Sequence, residues 1–296
     1  MTSFLEGFKV GHYTDADNRT GCTVILPPAG NVTSCDVRGS SPASRELVLL
    51  DLDRRLTEVH AVLLTGGSAF GLAAADGVMS WLAEHDIGYD TTVARVPIVP
   101  AAVVFDLGSG SPDARPGPDQ GRAACEAAAA DVETGHVGAG TGATVGKWGG
   151  LEHTVRGGLG IGHAEAEGMR VAAIAVVNAV GDVVGPDGNS LAGSSVTAGR
   201  VHAPRPPKTE VAPVNTVLAL VATHARLDKR EVKWLAGRGS DGITISVRPA
   251  HTRYDGDVCF AIAAPAKQEG PEANVDVLGV LATEAVADAV RSAVDS

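Results

Sequence analysis

Apolar residues along the chain fall into two periods. Runs with little polar alternation occur at 22–27 (CTVILP), 60–65 (HAVLLT), 170–180 (RVAAIAVVNAV), 216–223 (TVLALVAT), 242–249 (GITISVRP) and 258–264 (VCFAIAA). Such runs predict strands covered on both faces. Helical spacing marks 44–58, 68–86, 119–133, 228–238 and 280–296, with Ser44 and Asp119 as candidate N-caps. Strands follow one another directly as well as alternating with helices, so no regular βαβ repeat is present. A layered α/β (α+β) sandwich fits better than a barrel or a doubly wound sheet. One domain spanning 1–296 is expected, without internal repeats. Residues 185–213 carry the least pattern, and four prolines crowd 202–213. A loop of that length inside a compact domain is functional or disordered.

Composition narrows the partners. Hydrophobic residues make up 44% and charged residues 20%, as in ordinary globular chains. Aromatics are only 4% beside 37 glycines, which implies close backbone packing instead of an aromatic groove. The net charge of -11, with no basic cluster, argues against nucleic acid as the main partner. DKREVK at 228–233 reads as an exposed, mixed-charge helix face. Cys22, Cys35, Cys125 and Cys259 show no zinc-ligand spacing and read as free thiols in a reducing compartment. Residues 1–13 lack a basic start followed by an apolar run, and no run reaches the roughly 18 residues of a membrane span. A cytoplasmic protein without metal or organic cofactor is expected.

Five stretches carry candidate chemistry. At 60–78 a strand, a Gly-rich turn and a helix place Ser68 on a sharp turn. Phe70 breaks the G-x-S-x-G elbow, so Ser68 is a nucleophile or a helix cap. The Gly67-Ser68 turn could also present backbone N–H groups to an anion. GHVGAGTGATVGKWGG at 135–150 is no P-loop, because Thr141 and Trp148 stand where Gly and Ser or Thr are required. It is a flexible loop, or a backbone passing close to substrate with Lys147 aimed inward. Asn178 ends an apolar strand, where Asn is depleted; it pairs with backbone or points at reacting atoms. Asp255 and Asp257 flank Gly256 in an exposed turn or, if buried together, could orient a nucleophile. Finally, Thr216 opens a buried strand directly after a proline-rich loop. If the Asn215-Thr216 bond were cut, the new α-amine, with a pKa near about 7.7–8.0, would lie beside the Thr216 hydroxyl and could serve as its base.

Six ordered blocks carry a resemblance: LLTGGSAFGLAAADGVMSWL, VPIVPAAVVFDLG, GAGTGATVGKW, VVNAVGDVVGPDG, NTVLALVATHARLDKREVKWLA and HTRYDGDVCFAIA. Over about residues 7–290 the chain resembles the DmpA-like (P1) peptidase family. That family holds L-aminopeptidase/D-esterases, β-peptidyl aminopeptidases and nylon-oligomer hydrolases. The resemblance implies an αββα sandwich made as a precursor that cuts itself. Cleavage would fall between Asn215 and Thr216, giving an α chain 1–215 and a β chain 216–296. Thr216 would be the nucleophile, Asn178 an oxyanion donor and Lys147 a support for the nucleophile. Asp255 and Asp257 match the acidic pair of the nylon-oligomer branch. Phe105 stands where some relatives carry a substrate-side Tyr, so Phe105, Ser68 and Gly67 are the candidate substrate-binding positions. The expected substrates are short peptides or small amides whose free amino end Asp255 or Asp257 would pair with. The expected assembly is a tetramer of cleaved pairs. The rival readings are a hydrolase using Ser68, and an uncleaved relative that binds a small molecule.

Overall fold

A computed structural model describes residues 2–194, 215–264 and 273–295. Residues 195–213 of the patternless stretch lie outside the described residues. Ten strands build two sheets: β1 Lys9–Asp15, β2 Thr20–Leu26, β3 Val32–Val37, β4 Ser44–Arg45, β5 Val62–Thr65, β6 Ala101–Val103, β7 Gly158–Ala166, β8 Met169–Asn178, β9 Thr216–Thr223 and β10 Val258–Ala263. Four helices cover them: α1 Ala74–Glu84, α2 Pro118–Glu126, α3 Lys229–Ser246 and α4 Val275–Ser292. The first sheet runs β1-β2-β5-β6-β4 and the second β7-β8-β9-β10-β3. Within the second, β9 is antiparallel to β8 and parallel to β10.

The expected αββα layering is present. Leu218, Leu220 and Ala222 of β9 pack with Ile174, Val176, Val62, Leu64 and Phe260 between the sheets. Val217, Ala219 and Val221 turn the other way onto α3 and α4. The helices α1 and α2 cover the far face of the first sheet through Ala74, Val78, Leu82 and Ala124. Because both faces of β9 are buried, a one-residue slip would exchange its two packing sets, so its register is strongly specified. That register fixes where Thr216 falls.

Glycine sets the layer spacing. A Cβ on Gly160 or Gly162 of β7 would overlap the α4 carbonyls of Ala289 or Ala285. Bare backbone lets α4 lie directly on the sheet. Capping is local: the Asp228 side chain accepts from the Arg230 and Glu231 N–H groups at 2.8 and 2.9 Å, while Glu231 accepts from Asp228 N–H at 2.8 Å.

Several expected elements differ. The helix proposed for 44–58 is instead β4, paired with β6, and a short 3₁₀ turn at Leu47–Leu50, so Ser44 caps nothing. The helix at 119–133 stops at Glu126, and it is Gly117, not Asp119, that precedes its first turn. The strand proposed for 242–249 is mostly the end of α3, whose Ile243 is buried in the outer core. The 228–233 face is not simply solvated: Lys229 Nζ donates to the Leu49, Arg54 and Leu56 carbonyls, and Lys233 Nζ to the Cys35 carbonyl. The four cysteines are free and buried. No helix among the described residues is long and apolar enough to cross a membrane.

Candidate active site

Period-two alternation places Thr216 on the inter-sheet face, in line with Leu218 and Leu220, and Asn178 opposite it across the β8–β9 ladder. Both therefore sit at one end of the sandwich, where the two sheets part. Phe105, just past β6 of the other sheet, closes the gap by accepting from Asn178 Nδ2 at 3.2 Å.

The glycine-rich loop before β7 brings a cation to the same point. Lys147 is 7% exposed. Its Nζ donates to Asn215 Oδ1 at 2.7 Å, Thr144 O at 2.8 Å and Asn178 Oδ1 at 3.2 Å. Three acceptors match the three N–H bonds of an ammonium. Burial opposes that charge and pushes Lys147 down to about 7, against the opposing pull of Asp255. Its charge state is thus set near neutral pH.

The peptide joining Asn215 to Thr216 is held on both sides. Asn215 N–H donates to Tyr254 O at 3.0 Å, and the Asn215 carbonyl accepts from Gly256 N–H at 2.7 Å. These bonds make an isolated parallel bridge, Asn215–Asp255, three residues before the β9–β10 ladder begins at Leu218–Val258. The Thr216 hydroxyl donates to the same carbonyl at 2.5 Å. The Asn215 carbonyl oxygen thus carries two donors, and one of them belongs to the next residue. Gly256 must be glycine here, because a Cβ would lie 2.9 Å from Thr216 Oγ1 and 2.7 Å from Ser41 O.

The two acids are not an exposed turn; each is 2% exposed. Asp257 Oδ1 accepts from Val217 N–H at 2.6 Å, and its Oδ2 from His251 Nδ1 at 2.7 Å. His251 Nε2 faces the Ser240 carbonyl at 3.2 Å. Both ring nitrogens meet acceptors, so only the imidazolium donates to both. Burial works against that charge, but the Asp257 bond and charge with the Ser240 carbonyl outweigh it and raise His251 above its ordinary value. Asp255 accepts from Val180 N–H at 3.4 Å and from Thr252 N–H and Oγ1 at 2.9 and 2.5 Å. Burial, then the neighbouring Asp257, raises Asp255 above the usual carboxylate range. Each carboxylate oxygen already accepts at least one internal hydrogen bond, and Asp255 Oδ1 has the weakest of them, the 3.4 Å bond from Val180 N–H. His251 and the Gly256 N–H are the residues the sequence reading missed, since neither role leaves a motif.

A cavity of about 510 Å³ opens onto this point, lined by Lys147, Asn215, Thr144, Phe105, Arg19 and Arg156 among others. Of the candidate site residues Lys147, Asn215 and Phe105 line it, whereas Thr216, Asn178, Asp255, Asp257, Ser68 and Gly67 are not part of its described lining. The Gly67 N–H is spent on Asp106 Oδ1 at 2.7 Å and the Ser68 N–H on the Val104 carbonyl at 3.1 Å. The turn therefore offers no free N–H pair to an anion, and among the described residues no His or acid bonds Ser68 Oγ. Its glycines serve packing: a Cβ on Gly66 would overlap Asp106. Among the described residues no cluster of His, Cys, Asp and Glu could hold a metal ion.

Comparison with known proteins adds the following. The model of Peptidase family S58 matches residues 5–296. An uncharacterized aminopeptidase of Mycobacterium tuberculosis (strain ATCC 25618 / H37Rv) is 40% identical over 292 residues, covering 91% of this chain and 83% of the relative. A 6-aminohexanoate-oligomer endohydrolase of Kocuria sp. (strain KY2) is 30% identical over 311 residues, covering 97% and 84%. Among solved structures, the L-aminopeptidase D-Ala-esterase/amidase of Ochrobactrum anthropi, described as a variant of the Ntn hydrolase fold, matches with a TM-score of 0.74 at 19% identity, over 98% of this chain and 84% of that one. A Burkholderia sp. beta-aminopeptidase matches at 0.69 and 20%, over 98% and 84%. At these identities the structural likeness speaks to fold alone.

Proposed function

The chain belongs to peptidase family S58 and is a hydrolase of peptide or amide bonds, and from that premise we propose that it creates its own nucleophile by cutting between Asn215 and Thr216. The observation that supports this reading is the Asn215 carbonyl, which takes one hydrogen bond from Gly256 N–H and another from the hydroxyl of Thr216. In the proposed cut, Thr216 Oγ1 attacks the Asn215 carbonyl carbon. The C–N bond breaks, the hydroxyl proton ends on the departing nitrogen, and Asn215 is left as an ester on Thr216. Gly256 N–H points at the oxygen on which charge develops, the arrangement in which one donor is worth about 2.7–4 kcal/mol. Water then hydrolyses the ester, releasing an Asn215 carboxylate, the Thr216 hydroxyl and its α-amine.

Turnover repeats the chemistry on a substrate. The α-amine takes the Thr216 hydroxyl proton as Oγ1 attacks the substrate carbonyl, and passes it to the leaving amine. Water hydrolyses the acyl-enzyme. Asn178, with one Nδ2 hydrogen on the Phe105 carbonyl and a second to give, is the proposed donor to the oxyanion; Lys147 supports the nucleophile's end of the site through Asn215 Oδ1, and Asp257 holds the start of β9 through Val217 N–H. The two fragments stay interlocked, because β9, from the small fragment, pairs with β8 of the large one along its whole length. Short peptides or small amides, including nylon-oligomer-like amides, are the proposed substrates; the 30% identical oligomer hydrolase supports the latter. The reading also carries a cytoplasmic location and a homo-oligomer of cleaved pairs. Thr216→Ala should remain one 296-residue chain without turnover, and Thr216→Ser should regain both activities. An active Thr216→Ala protein would overturn the proposal.

A further inference from the structure

The cavity that reaches Lys147 and Asn215 has a cationic lining. Arg19 and Arg156 line it with Lys147, and among the described residues no Asp or Glu does. In a chain with 35 acidic and 24 basic residues, that is the reverse of the average. Arg38, Arg45 and Arg122 each sit against a carboxylate. Among the described residues, Arg19 and Arg156 have none within ion-pair distance.

Arg156 is also fixed in place. It pairs with Thr144 across a short ladder, and the Thr144 carbonyl is one of the three acceptors of Lys147. Its Nη2 donates to the Thr141 carbonyl at 2.8 Å. Burial, then the neighbouring charge of Arg19, pushes the Arg156 guanidinium down, so the two cations feel each other. Arg19 and Arg156 are exposed cations lining one cavity, and guanidinium forks suit a carboxylate bidentately. The rest of its described lining is uncharged and includes Phe105, Leu151 and Val155.

We propose that Arg19 and Arg156 form a carboxylate subsite, so that the preferred substrates are short peptides or amides ending in a free carboxylate remote from the scissile bond. The subsite rests on the reading of Thr216 as nucleophile.

The test compares trialanine with trialanine amide on wild type, Arg19→Gln, Arg156→Gln and Arg156→Lys, with intact mass recorded for each protein. Wild type should favour the acid roughly tenfold or more in kcat/KM, mostly through KM, and the preference should shrink with added salt. Each Gln variant should bring the acid down toward the amide, and Arg156→Lys should keep part of the preference. Wild type alone gives a second measurement: butyrate should compete with substrate and butyramide should not. A cleaved, active wild type that treats acid and amide alike, or that butyrate leaves untouched, would overturn the subsite only. An uncleaved wild type that hydrolyses neither substrate would overturn the Thr216 reading and the subsite with it.

Discussion

Replacing Lys147 by Met separates two effects of opposite sign. Methionine keeps the stem but cannot donate to Thr144 O, Asn178 Oδ1 or Asn215 Oδ1. Asn178 Oδ1 retains the Thr144 N–H at 3.0 Å, so two acceptors are orphaned, at about 1–3 kcal/mol each. Against that loss stands relief of a buried charge. The fall of Lys147 from 10.5 to about 7 corresponds to about 5 kcal/mol, at about 1.36 kcal/mol per pH unit. The two figures nearly cancel, so the variant should fold, with Tm shifted by no more than about 10 °C. Self-cleavage should nevertheless slow by about 10²-fold, because the Asn215 side chain loses its anchor and the scissile peptide its positioning. The assay follows appearance of the small fragment over time on denaturing gels, beside a thermal melt. A folded Lys147→Met protein that cuts itself at the wild-type rate would refute the reasoning. The pH dependence is a second check. Between about pH 7 and 10.5 the unfolded chain carries a proton on Lys147 that the folded chain lacks. Wild type should therefore gain stability over the variant as pH rises through that window, and hold a constant difference below it. Parallel stability curves across the window would contradict a buried, titrating Lys147.

Three further predictions follow from the geometry. For His251→Gln, whose parent His has a raised folded value, the wild-type advantage should be full below about pH 6.5 and lost as pH rises through the folded value; melts at about pH 5.5 and about pH 8.5 read it, and an equal gap at both would count against the imidazolium. Gly256→Ala puts a methyl 2.9 Å from Thr216 Oγ1, and should cost about 1–3 kcal/mol and slow self-cleavage in a mass time course; wild-type kinetics would remove Gly256 from the account. Gly162→Ala should push α4 off β7 and lower the urea midpoint by the equivalent of about 1–3 kcal/mol, and an unchanged midpoint would deny the close helix–sheet contact.

The strands that form the centre of the sandwich were legible because burial on both faces leaves an unbroken apolar run; 216–223 matches β9 residue for residue. The expected run at 170–180 likewise covers nearly all of β8. Strand β7 was not legible, since its glycines erase the apolar signal, and those glycines are what allow α4 to lie against it. GITIS looked like a strand by its β-branched residues, yet tertiary packing of Ile243 keeps it helical. At the site, Thr216, Asn178 and Lys147 stood out as polar residues at the ends of apolar or glycine-rich runs. The Gly256 N–H was invisible because its part depends on backbone direction, not residue type. His251 hid because its two acceptors come from different elements, Asp257 before β10 and Ser240 inside α3. Asp-Gly-Asp has the composition of a surface turn, so the sequence left exposed and buried readings open; contacts from Val180, Val217, Thr252 and His251 bury it.

Intact-mass spectrometry of the purified protein, with N-terminal sequencing of its smaller fragment, tests the central claim most directly. The account predicts fragments of 215 and 81 residues, the latter beginning Thr-Val-Leu-Ala-Leu. A single chain of 296 residues that persists through prolonged incubation would contradict it and return Thr216 to the role of an ordinary strand residue.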